Sequence, residues 1–64
     1  MIRLQMAIMS HLSDAQALLS NPELANLEIN FAKWLLLKLD NGIKEMSSEE
    51  LNEEWIKCKN QFGG

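Results

Sequence analysis

The chain has 64 residues, with 6 Lys+Arg against 9 Asp+Glu and a formal net charge of −3. That length allows one small domain burying only about 60% of its unfolded surface, and the acidic balance argues against nucleic acid as a partner. A hydrophobic content of 47% excludes a disordered chain, and a single cysteine excludes both a disulfide framework and a Cys-rich zinc site.

Residues 1–9 are expected to form an N-terminal extension, either continuing the first helix or disordered. Ile2, Leu4, Met6 and Ile8 alternate with Arg3, Gln5 and Ala7 as in a strand, but a lone strand has no partner in so small a chain. Arg3 is the only cation in the apolar start, and no clean cleavage site follows, so no secretory signal is expected. No run of about 18 apolar residues occurs, which argues against a membrane span. The expected location is cytoplasmic, with Cys58 reduced.

A single helical domain is expected over 10–62, with helices at about 11–20, 22–40 and 48–61. The first opens at Ser10, or at Ser13 with Gln16 in a capping box. Its apolar stripe is Ile8, Leu12, Ala15 and Leu19. Ser20-Asn21-Pro22 ends it, because proline cannot continue a preceding helix.

The second helix starts with Asn21 as N-cap, Pro22 in the first turn and Glu23 at the positive end of the helix dipole. Asn41-Gly42 stops it, since both residues tolerate left-handed backbone. Around its circumference an apolar arc of roughly 220° runs through Trp34, Phe31, Leu35, Leu36 and Ile29, interrupted only by Lys38 and Glu28. A surface helix needs only about 100°. A first helix of ten residues rises about 15 Å, against about 28 Å for nineteen, and is too short to cover a full stripe. The fold class expected is therefore all-α: a three-helix unit with a long central apolar helix, assembling into a dimeric bundle. The residues expected at the interface are Ile29, Phe31, Trp34, Leu36, Leu39 and Trp55.

The third helix opens with a capping box, Ser47 with Glu50, and Met46 is placed to staple against Leu51. Leu51, Trp55, Cys58 and Phe62 form a narrow apolar stripe. Glu53 and Lys57 are spaced as a surface ion pair.

Chemistry-bearing patterns are sparse. His11 is the only histidine. Asp14 lies one turn away, and His11, Asp14 and Cys58 can be imagined as a cluster, but nothing in the spacing demands a metal. Ser10, His11, Ser13 and Asp14 read as capping residues rather than a catalytic set. Cys58 lies on an apolar stripe and reads as a small core residue. The acidic run 45–54 lacks the calcium-loop pattern and reads as a solvated face. Gly63-Gly64 resembles the ends of ubiquitin-like sulfur carriers and of double-glycine leader peptides. The first implies a β-grasp fold, for which the strands are missing. The second needs an acidic, leucine-bearing helix closer than Glu50-Leu51 stands to Gly63. A flexible tail is expected instead.

No cofactor, metal or catalytic residue is expected. The reading is a small non-enzymatic protein acting through apolar helix–helix contact, as a homodimer and with a further protein partner allowed. The alternative is a dimeric DNA-binding regulator of helix-turn-helix type. Its reading helix would meet phosphates with Glu49, Glu50, Glu53 and Glu54, which repel them.

Overall fold

Two breaks, at Ser20-Asn21-Pro22 and at Asn41-Gly42, divide the chain into three helical lengths. In the computed structural model, which describes residues 1–62, the element order is β1 (Ile2–Arg3), α1 (Leu4–Ala17), α2 (Pro22–Asp40), β2 (Glu45–Met46) and α3 (Ser48–Phe62). The protein is predominantly helical, as an all-α reading requires. The Gly63-Gly64 tail lies outside the described residues.

The N-terminal segment departs most from expectation. Helix α1 begins at Leu4 rather than near residue 11, so the segment takes the helix-continuation alternative from that point on. Ile2 and Arg3 pair antiparallel with Met46 and Glu45. The Leu4 amide donates to the Lys44 carbonyl at 2.9 Å. This backbone anchor stands where a side-chain cap is missing, for Arg3 makes none. Ser10 and Ser13 thus lie inside the helix and cap nothing. At fourteen residues, α1 rises about 21 Å and covers more of α2 than the sequence implied.

The later boundaries follow their caps. Asn21 Oδ1 accepts from the Leu24 amide at 3.4 Å. Ser47 Oγ accepts from the Glu50 amide at 3.1 Å, while Glu50 Oε1 accepts from the Ser47 amide at 3.4 Å. The two bonds satisfy free N–H groups reciprocally. After α2, Gly42 takes φ +95, a backbone region costly for any residue with a Cβ.

The core gathers Leu4, Ala7, Phe31, Leu35, Met46 and Cys58, with Leu51, Leu39 and both tryptophans packed against it. Cys58 is fully buried, and burial pushes its thiol above the usual range. Helix α2 packs against α1 and α3. Among the described residues no helix is long and apolar enough to cross a membrane.

Candidate functional site

Leu4, Ala7, His11 and Ala15 step by three, four and four along α1, so they share one face. Three of them are buried hydrophobic residues, which carries His11 inward. On α2, Glu28 precedes Phe31 and Leu35 at the same spacing. Packing these faces brings His11 Nδ1 to 2.5 Å from Glu28 Oε2. The imidazole meets Phe31 edge-on, with centroids 4.7 Å apart at 79°. It stacks on Trp55 at 5.9 Å and 17°. Its orientation is therefore fixed by two aromatic rings from two other helices.

Asp14 lies one turn further along α1. Ligand atoms of His11, Asp14 and Glu28 all fall within 4.8 Å of one another. His11 and Glu28 also line a cleft of about 360 Å³ whose floor is Phe31, Leu51 and Trp55 and whose rim carries Ser48 and Asn52.

A second polar contact crosses the α2–α3 seam. Glu54 is 8% exposed. Its Oε1 accepts from Trp34 Nε1 at 2.8 Å and pairs with Lys38 Nζ at 2.9 Å. Its Oε2 pairs with Lys57 Nζ at 3.3 Å. Burial pushes the Glu54 carboxyl up, but the hydrogen bonds from Trp34, Lys38 and Lys57 and the Lys38 charge together outweigh it. The carboxyl is held below its ordinary range. Lys57 thus bonds Glu54 rather than the Glu53 expected from spacing. Among the described residues no buried side-chain polar atom lacks a partner.

The expected interface residues separate into two groups. Phe31 is 2% exposed and belongs to the chain's own core. Trp34 is held by Glu54 and meets Phe62 edge-on at 6.4 Å. Trp55 packs against both His11 and Phe31. These three aromatic rings are engaged within the chain, because α3 lies across their side of α2. Leu39 is half-buried against the core. Ile29 is half-buried and Leu36 stays 47% exposed.

Glu28 is the functional residue that sequence reasoning missed. The available signal was its position, since it interrupts an apolar arc that otherwise contacts core. Lys38, the other interruption, carries the same signal and faces Glu54. Compared with known proteins, the chain matches no family model, no curated protein and no solved structure.

Proposed function

We propose that the protein is a non-enzymatic interaction module that works by apolar helix–helix contact, with a second copy of the chain as its first partner. The supporting surface lies on the α1–α2 pair. Leu36 stands roughly 160° around α2 from Trp34, which faces α3. Leu36 is thus turned away from α3, with Ile29 on its own stripe. On the neighbouring helix, α1 carries no ionisable residue besides His11 and Asp14, and it leaves Leu12 43% exposed beside Met6 and Met9. Leu36 lies in line with Ile29 and Ala32, and the exposed Lys33 and Asp40 one turn to either side supply the polar rim that surrounds an apolar interface centre.

The observation that carries this reading is the exposure of Leu36 in line with the apolar Ile29 and Ala32. Light scattering on the full chain tests it. A dimer mass is expected, and Leu36→Asp should reduce it to the mass of one chain with helicity kept, since the new carboxylate remains solvated in the monomer. Ile56→Asp, also at a position 47% exposed but on α3, should leave the dimer intact. A monomeric wild-type chain, or a dimer that Leu36→Asp does not disturb, overturns the proposal.

A further inference from the structure

His11, Asp14 and Glu28 combine one imidazole and two carboxylates from two helices. We propose that they form a binding site for a divalent cation of the zinc type, tying α1 to α2 with three protein ligands and a fourth position left to water. The mixed nitrogen and oxygen donor set selects this class of ion, because magnesium and calcium favour oxygen ligands alone.

The geometry supports it in four respects. The His-x-x-Asp spacing on α1 puts both ligands on adjacent turns of one side, as i,i+3 pairs do in helical metal sites. Their ligand atoms and that of Glu28 already lie within 4.8 Å. Donors around a tetrahedral zinc ion stand about 3.3 Å apart, so the remaining approach is supplied by rotation of the exposed Asp14 carboxylate. The imidazole is held between Phe31 and Trp55, so little ring freedom is lost on binding. Two carboxylates beside a neutral imidazole also balance a doubly charged ion, which the adjoining cleft lets in from solvent.

Coordination through Nδ1 replaces the His11–Glu28 hydrogen bond: the proton between them passes to water, and the coordinating ring carries its one proton on Nε2, taken from water where the ring was neutral. The consequence is thermodynamic. A chain this short has a small core, and small domains recruit metals as staples. An ion bound only by the folded state raises stability by mass action.

The test uses the full chain and Zn²⁺ alone, with Co²⁺ as a spectroscopic substitute. One equivalent should bind by calorimetry. Tm should rise by about 10–20 °C when free Zn²⁺ is a hundredfold above Kd, and Co²⁺ should show visible bands of a four-coordinate site. Asp14→Asn and Glu28→Gln should each weaken binding by at least about tenfold, while Asp40→Asn, an exposed carboxylate outside the cluster, leaves it unchanged. Asp14 is exposed, so its variant stays folded even where Glu28→Gln does not. Failure of Zn²⁺ to raise Tm overturns the site. So does binding as tight in Asp14→Asn as in wild type.

Discussion

The α1–α2 and α2–α3 seams each carry a polar contact to α2, and the two contacts are built differently. At the α2–α3 seam, Glu54 has three donors, and they use both of its oxygens. At the α1–α2 seam, Glu28 hydrogen-bonds only His11 among the described residues and opens onto a cleft. A nearly buried carboxylate with donors on both oxygens acts as structure. A carboxylate with one partner beside a cleft keeps capacity for a ligand. The difference separates a structural polar contact from a candidate site, although both arise where a polar residue interrupts the same apolar arc.

Phe31 joins the two seams, touching His11 on one side and Trp55 on the other. Phe31→Ala should have the largest effect, costing about 3–5 kcal/mol through lost burial and the cavity left behind. Total stability for a chain of this size is about 3–10 kcal/mol. Circular dichroism melts should show a largely unfolded protein or a Tm lowered by tens of degrees. A Tm within a few degrees of wild type would show that the seams are not coupled through this ring.

Glu54 tests one seam alone. Glu54→Ala removes the acceptor of Trp34 and the partner of Lys38 together, and should cost about 2–3 kcal/mol. Glu54→Gln keeps an acceptor for Trp34 and loses only the charge, at about 1 kcal/mol, since Lys57 is well exposed and its pair is screened by water. The pH dependence follows in sign. The folded-state value of Glu54 is lowered, so the unfolded chain takes up its proton first as pH falls. The stabilisation is complete above the ordinary carboxylate range and is lost as pH drops through the lowered folded value. Denaturant midpoints measured across the acid range should fall less steeply in Glu54→Gln than in wild type. Equal slopes would show that Glu54 is not held as the structure indicates.

What the sequence disclosed is set by range. Asn21 with Pro22, and Ser47 with Glu50, place helix starts from local chemistry, because donor and acceptor lie within one turn. The stripe Leu51, Trp55, Cys58 shows which side of α3 faces inward for the same reason. The β1–β2 pair was not legible, since Ile2 meets Met46 only after two helices have folded back. That pairing lengthens α1 at its N-terminal end, and with it goes much of the argument that α2 lacks cover. The polar contacts were half legible. Glu28 and Lys38 stand out as breaks in an apolar arc, but His11 lies 17 positions from Glu28. Its role emerges only once an antiparallel register is fixed.

The smallest effect concerns the turn that serves both seams. Gly42 sits at φ +95, and a Cβ built there meets nothing within 4 Å. Any cost of Gly42→Ala is therefore backbone strain and not a clash, at about 1 kcal/mol. The turn is closed by the Gly42 amide on the Leu39 carbonyl and the Ile43 amide on the Lys38 carbonyl, both at 3.0 Å. It delivers Lys44 to the Leu4 amide and Met46 to the core. A strained turn should therefore weaken α1 anchoring and α3 docking alike, lowering Tm by about 4–8 °C. D-alanine at the same position accepts positive φ and should raise Tm instead, by restricting the unfolded chain. Hydrogen exchange gives the sharper reading. In Gly42→Ala the amides of Leu4 and Leu51 should lose protection by the same factor, whereas Glu54→Gln should act on the α3 side first. Loss confined to one side would place the hinge outside this turn and make the two seams independent.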